Sequence, residues 1–342
     1  VYKTSVNGLG LGLRNDTGRS NIDKVTKDGT LAVIGQEDGA QVEYSVDGGQ
    51  TWSNSYKAVY GQNNVLVHQI DTAGNISDAS SLSFVFDDNA KAVGIQIKKI
   101  HGNSGNSDLM SLADTQFEFS GVENGALVEY STDGGTTWSD TYFAKAGYNS
   151  LIVHQIDVAG NISDNSSLVF NMIAGDAANN SITAQLYNGS VIDTLVYAGD
   201  GNDSITGSSG NDMLYGQAGN DILLGGAGKD YLSGGSGNDI FMFTQTTDSL
   251  ALAACDVIDD FAQGADLIDL SAIDAKPTTS KDDDFRFVSN PSTAVSNYAV
   301  TWYQDVGKNQ TIVQADNTGD SIADCVLALN GLYNLKATDF VL

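Results

Sequence analysis

Aspartates stand at 203, 212, 221, 230 and 239, one every nine residues, each just after a glycine-rich run, as in "GQAGNDILLGGAGKDYLSGGSGND" over 216–239. Carboxylate and backbone carbonyl oxygens are hard donors, and about six to eight of them at about 2.3–2.6 Å are what Ca²⁺ selects. The composition agrees with that chemistry. The 43 acidic residues against 16 basic ones leave a formal charge of −27. Such a charge repels nucleic acid and anionic membrane surfaces and makes a cation the natural partner.

Written in nines from 198 to 242, the chain reads "AGDGNDSIT", "GSSGNDMLY", "GQAGNDILL", "GGAGKDYLS" and "GGSGNDIFM". All five fit Gly-Gly-x-Gly-x-Asp-x-apolar-x. A degenerate sixth, "NGSVIDTLV" (188–196), precedes them with Tyr197 as an extra residue, and "GDAANNSIT" (175–183) is a further remnant. Six glycine-rich residues make a turn through backbone conformations closed to residues with a Cβ. Three residues around a central apolar side chain then make a short strand. Two nonapeptides complete one coil. Ile205, Leu214, Leu223, Leu232 and Phe241 are expected to face inward between two parallel sheets, with turns eighteen residues apart stacked on one another.

This period resembles the calcium-binding nonapeptide of RTX proteins. The resemblance implies Ca²⁺ as the cofactor, each ion lying between the backbone oxygens of one turn and the aspartate of the turn eighteen residues later. It pairs Ala198, Asp200 and Asn202 with Asp221, Gly207, Ser209 and Asn211 with Asp230, and Gly216, Ala218 and Asn220 with Asp239. Gly225 and Gly234 open the last two turns, and Asp203 and Asp212 face the degenerate turns upstream. Without ions, carboxylates aligned in columns repel one another, and the stack is expected not to form.

The first half carries a longer repeat. Residues 39–86 return at 125–172 with about thirty of 48 positions identical, the mark of a tandem module. Short alternating runs such as "VEYS" and "NVLVHQI" are separated by turn signals at Asp47-Gly48-Gly49 and Ala73-Gly74-Asn75, the pattern of a β-sandwich. The stretches "DTGRSNIDKVTKDGT", "VEYSVDGGQTW" and "QIDTAGNIS" resemble the bacterial Ig-like modules of giant adhesins. In that family calcium stiffens the junctions between modules. The resemblance thereby nominates Asp71 and Asp157 in the Asp-x-Ala-Gly-Asn turn, Asp87 and Asp88 in the linker, and Asp23 and Asp108 in an early loop. The same turns read equally as Asx hydrogen bonding without metal.

"SVDGGQTW" (45–52) and "STDGGTTW" (131–138) fit the Asp-box of sialidase propellers. A sialidase needs clustered arginines for its substrate carboxylate. The chain has only Arg14, Arg19 and Arg286, so the motif reads as a hairpin turn covered by Trp52 or Trp138. His68 and His154 are each followed by Gln and His101 by Gly, leaving no zinc helix, and no Gly-x-Ser-x-Gly elbow is present. We expect no enzyme here.

"DVIDDFAQGADLIDLSAI" (256–273) resembles the segment that follows the repeats in serralysin-type and adhesin-type RTX proteins and is expected to cap the roll. "ADNTGDSIAD" (315–324) offers Asp316, Thr318, Asp320 and Asp324 as another calcium loop or as an acidic hairpin. The closing "LNGLYNLKATDFVL" is similar to the uncleaved type I secretion signals of the family. Cys255 and Cys325 are the only cysteines, and a bridge between them stays open at this stage.

The expected architecture is all-β: two tandem Ig-like β-sandwiches (1–88 and 89–173), a parallel RTX β-roll (174–250), and a β-rich cap with the secretion signal (251–342). The chain opens mid-pattern at "VYKTSVNGLG" and reads as a fragment of something longer. The expected function is that of the carboxyl-terminal region of a secreted RTX adhesin, extracellular or on the bacterial surface. Its partners would be calcium, the type I secretion machinery and a host or biofilm surface ligand, without nucleic-acid binding or membrane insertion. The tail of a secreted RTX enzyme or toxin, and modules that bind a glycan or protein directly, are the alternatives.

Overall fold

The computed structural model describes residues 6–98, 117–250 and 252–342; Asp108 and His101 lie outside them. Among these residues the regular structure is β, apart from two 3₁₀ turns at Thr246–Asp248 and Ala337–Asp339. The chain divides into two compact units. One gathers Val1–Gln96, Phe119–Tyr142 and Leu151–Ser167, the other Ile97–Glu118, Phe143–Ser150 and Leu168–Leu342.

In the first unit the strand Gly61–Ile70 pairs antiparallel with Gln41–Ser45 on one side and Ser80–Phe86 on the other. Its alternation places Val65 and Val67 inward, as a period of two requires. Val65, Leu82 and Phe84 form the buried cluster, with Leu11, Leu31, Tyr44 and Tyr56 against it. A buried amide ties the ends of the sandwich: Gln69 donates from Nε2 to the Asn7 and Gly35 carbonyls and accepts from the Glu37 amide. The second repeat reproduces this clamp with Gln155, which reaches the Lys91 and Gly121 carbonyls and the Glu123 amide. Leu127–Ser131 pairs with the strand through Ile156 so that Glu129 faces His154, as Glu43 faces His68.

The second unit is built on two parallel sheets. In one, Leu168–Ala174 of the strand Ser166–Ala174 is followed by Thr194–Asp200, Met213–Ala218, Tyr231–Ser236, Asp256–Ile258 and Cys325–Asn330. In the other lie Ser181–Thr183, Ser204–Thr206, Ile222–Leu224, Ile240–Met242, Leu267–Asp269 and Phe340–Val341. Between the nonapeptides the register is an offset of eighteen, Leu214 opposite Leu232 and Ile205 opposite Leu223. Ile205, Leu214, Leu223, Leu232 and Phe241 are buried in one core with Ile182 and Val196. The core continues through Ile258, Ile268, Trp302, Leu327 and Phe340. The segment after the repeats therefore adds strands to both sheets. Cys255 and Cys325 are buried free thiols and are not bridged.

Candidate metal centre

Each nonapeptide aspartate is held by the turn before it in its stack. Asp221 Oδ1 accepts the Asp203 amide at 2.7 Å, Asp230 Oδ1 that of Asp212 at 2.8 Å and Asp239 Oδ1 that of Asp221 at 2.8 Å. The columns start in the remnants: Asp203 Oδ1 takes the Asn180 amide and Asp212 Oδ1 the Thr194 amide, both at 2.7 Å. Two columns result, one through Asp203, Asp221 and Asp239, the other through Asp212 and Asp230. A second, outer ladder runs beside them. Asn202 Oδ1 accepts the Asn220 amide, Asn220 Oδ1 that of Asn238 and Asn211 Oδ1 that of Lys229.

The turns named with each aspartate from the sequence are stacked on that aspartate's own turn. Gly201 donates to the Ala218 carbonyl, Gly207 to that of Leu224 and Gly219 to that of Ser236, with Asp200 in register with Ala218. Ala198 and Gly216 are buried, while Asn202, Ser209 and Asn211 lie at the exposed rim of the turns.

The other carboxylate oxygen is the chemically informative one. Oδ2 of Asp203, Asp221, Asp230 and Asp239 is buried and has no hydrogen-bond partner. An unpaired buried acceptor is costly, and a buried charge far more so. Asp212 differs, since its Oδ2 accepts the Ser208 amide at 2.5 Å. The glycine that opens each turn makes the surrounding space. A Cβ on Gly216 would stand 2.3 Å from Asp221 Oδ2 and 2.7 Å from the Gly234 carbonyl oxygen. One on Gly225 or Gly234 would stand 2.3 Å from Oδ2 of Asp230 or Asp239. At Gly216 an unpartnered carboxylate oxygen and a turn carbonyl thus converge on a position that a Cβ would occupy. Among the described residues no three His, Cys, Asp or Glu side chains converge as a metal cluster, so a cation held here relies on carbonyl oxygens as well. That donor set is all hard oxygen and fits Ca²⁺.

Burial drives these acids upward from the ordinary carboxylate value. Desolvation raises Asp221 to about 6, Asp239 to about 7 and, with the neighbouring Asp256 charge adding to it, Asp230 to about 9. Asp203 and Asp212 shift upward for the same leading reason.

Two carboxylates that the nonapeptide period does not reach continue the columns. Asp256 Oδ1 accepts the Asp230 amide at 2.8 Å and Asp266 Oδ1 the Asp239 amide at 3.0 Å. The segment 243–255 breaks the nine-residue spacing, so periodicity alone does not find them. Their signal is the return of alternating apolar and acidic residues in "DVIDDF" and "GADLIDL".

The aspartates nominated in the modules have different surroundings. Asp71 accepts the Ala73 and Asn75 amides and the Asn75 side chain. Asp157, only 3% exposed, accepts the Asn161 amide and side chain. Asn161 also donates to the Asp87 carbonyl, Thr17 to that of Ala159 and Lys27 to that of Gly160. The Asp157 turn is thus bound to the loop and linker of the first repeat. Asp87 and Asp23 each accept an amide two residues on, and Asp88 is exposed. In the 315–324 loop, Asp316 accepts the Gly319 and Ser321 amides, Asp324 those of Asn317 and Thr318, and Asp320 that of Ile322. The three carboxylates of 315–324 thus hold their own loop. The Asp-box is likewise internal: Asp47 binds Ser45, Gln50 and Thr51, and Trp52 donates to the Gly49 carbonyl while stacking on His68 at 3.7 Å.

The family described as Peptidase M10 serralysin C terminal matches residues 72–342. Among solved structures, the chain is similar to the AlgE6R2 subunit of the Azotobacter vinelandii mannuronan C5-epimerase, with 24% identity, 49% of this chain and 91% of that one covered, and a TM-score of 0.28. The AlgE6R3 subunit of that epimerase gives 27% identity, 48% and 78% coverage and a TM-score of 0.28. Fibronectin(III)-like modules of Clostridium thermocellum CbhA give 11%, 47% and 92%, and 0.29. No curated protein matches the chain.

Proposed function

The chain belongs to the Peptidase M10 serralysin C-terminal family, and from that premise we propose that it is the calcium-folded export and spacer region of a secreted RTX adhesin. The family is typical of type I secreted extracellular proteins, and its aspartate ladders are typical of calcium-binding β-rolls. The observation that carries the calcium reading is the set of buried, unpartnered Oδ2 atoms in the columns. When bound, Ca²⁺ supplies the positive charge and the acceptor-satisfying contacts that the columns lack. The chain's part is to aim the carboxylates: each backbone amide fixes Oδ1 of the aspartate eighteen residues on, which leaves Oδ2 turned toward the glycine-lined space.

Because this binding free energy is folding free energy, the roll stays open where free calcium is scarce and closes outside the cell. That fits passage through a type I exporter, which takes an unfolded chain. The two repeated sandwiches, joined at the Asp157 turn, support the spacer role, with junction calcium at Asp71, Asp157, Asp87, Asp88, Asp23 or Asp108 as part of the same proposal. We assign these residues no catalysis of their own. A second reading, the tail of a secreted peptidase or other enzyme, is favoured by the family match itself.

Calcium titrated into the chelated full chain, followed by far-UV circular dichroism, is expected to give a cooperative gain of β signal at about 10⁻⁴ to 10⁻³ M. A β-rich spectrum unchanged in excess chelator overturns the calcium reading. Binding of the full chain to cells, biofilm matrix or a glycan array supports the adhesin over the enzyme tail.

A further inference from the structure

The two aspartate columns end differently. In the column of Asp203, Asp221 and Asp239, the last member is Asp266, and both of its oxygens are taken: Oδ1 by the Asp239 amide and Oδ2 by the Ala262 amide at 2.7 Å. That column closes on protein donors. In the column of Asp212 and Asp230, the last member is Asp256, which is fully buried at 0% exposure. Its Oδ1 accepts the Asp230 amide, yet its Oδ2 has no partner. The buried Asp248 carboxylate bears on it with like charge, which adds to the need for a cation. The Asp256 amide donates to Ser249 Oγ, and Ser249 in turn donates to the Val326 carbonyl, so the next member of the column is a neutral hydroxyl. Lys229, whose charge bears on Asp256, gives its amino group to the Ala253 carbonyl instead.

We propose that Asp256, which belongs to no nonapeptide, is a calcium ligand, and that it forms with Asp230 one further ion site past the last repeat, whereas Asp266 only closes its column. This rests on the calcium reading above. Both Asp230 and Asp256 carry a buried, unpartnered oxygen, on turns stacked through the Asp230 amide. That is the same arrangement as Asp203 over Asp221 and Asp221 over Asp239. The strand Asp256–Ile258 pairs in parallel with Tyr231 and Leu232 on one side and with Leu327 to Leu329 on the other. An ion at Asp256 therefore sits where the roll joins the final strands. It would make the addition of residues 325–330 depend on calcium as well.

The test uses the intact chain crystallised with terbium, located by anomalous scattering. An ion at about 2.3–2.6 Å from Asp256 Oδ2, the spacing of such hard-oxygen sites, is the expected result. Ions at Asp221 and Asp239 with none at Asp256 overturn this inference and leave the calcium reading intact; no ion anywhere in the roll overturns both. In solution, Asp256→Asn keeps the acceptor for the Asp230 amide and removes the charge. It is expected to bind one calcium fewer per chain by equilibrium dialysis, while Asp266→Asn keeps the full number. An Asp256→Asn chain that binds the wild-type number contradicts the assignment, and if that variant does not fold, the terbium positions decide.

Discussion

Asp47 in the first module, followed by two glycines, and Asp221 in the roll, preceded by a glycine-rich turn, are the same residue with opposite electrostatics. Asp47 sits at an exposed turn with both oxygens occupied. The Thr51 hydroxyl first, then the Thr51 amide and the Ser45 hydroxyl, hold it well below the usual carboxylate range. Asp221 sits in a buried column with one oxygen occupied, and desolvation lifts it to about 6. The first is a finished turn in which the protein supplies every donor. The second is a site completed only by something positive from outside. An aspartate beside glycine is therefore informative about metal only through its second oxygen.

The largest expected break in this comparison comes from removing one carboxylate from each column of the roll. Asp221→Ala with Asp230→Ala should raise the calcium midpoint of folding by about tenfold or more, each decade corresponding to about 1.4 kcal/mol. It should also cut the yield of exported protein. A double variant that folds at the wild-type midpoint contradicts the stacked pairing.

Acid offers a second, somewhat smaller lever. Asp230 at about 9, Asp256 at about 8, Asp239 at about 7 and Asp221 at about 6 all lie above their unfolded value of 3.8. Protons therefore stabilise the metal-free fold at low pH, and that stabilisation declines as pH rises above the unfolded value of 3.8 and is gone once pH passes about 9. In chelator the roll should gain β signal as pH is lowered from 9 to 5. With calcium present, the same acidification should release the ion. The module turns have the opposite sign, since the depressed Asp47 and Asp133 lose stabilisation only as pH falls through the acidic carboxylate range. A metal-free roll indifferent to pH would show that the columns are not desolvated as described.

A methyl group sharpens the comparison without altering charge. Gly216→Ala places a Cβ against Asp221 Oδ2 and the Gly234 carbonyl, whereas Gly12→Ala meets nothing within 4 Å and its φ is not positive. Calorimetry should find weaker calcium binding in the first and wild-type binding in the second. The smallest effect on calcium is expected for Asp47→Ala. It should lower the melting temperature of the first module but leave the calcium midpoint within about twofold, as sites sharing no partners act independently.

Much of this was legible from residue types. The inward set Ile205, Leu214, Leu223, Leu232 and Phe241 follows from a strict nine-residue period, which fixes which side chain faces the core. The Trp52 cover over the Asp47 turn follows from the motif. What periodicity does not carry is the continuation at Asp256 and Asp266, because the thirteen residues from 243 to 255 shift the spacing while the sheet register resumes. Nor does it show that Asp212, in a clean repeat, spends its second oxygen on the Ser208 amide. The final strands Cys325–Asn330 and Phe340–Val341 join the roll by parallel pairing over long separations. No local pattern specifies such pairing, and a reading of the terminus as an appended signal misses it.

Calcium is expected to complete the roll while the sandwiches complete themselves. Hydrogen exchange on the full chain, with calcium and with excess chelator, tests it region by region. Amides of 194–242 and 256–269 are expected to lose protection in chelator while those of 61–70 and 80–86 keep theirs. Equal protection of the roll in both conditions would contradict it.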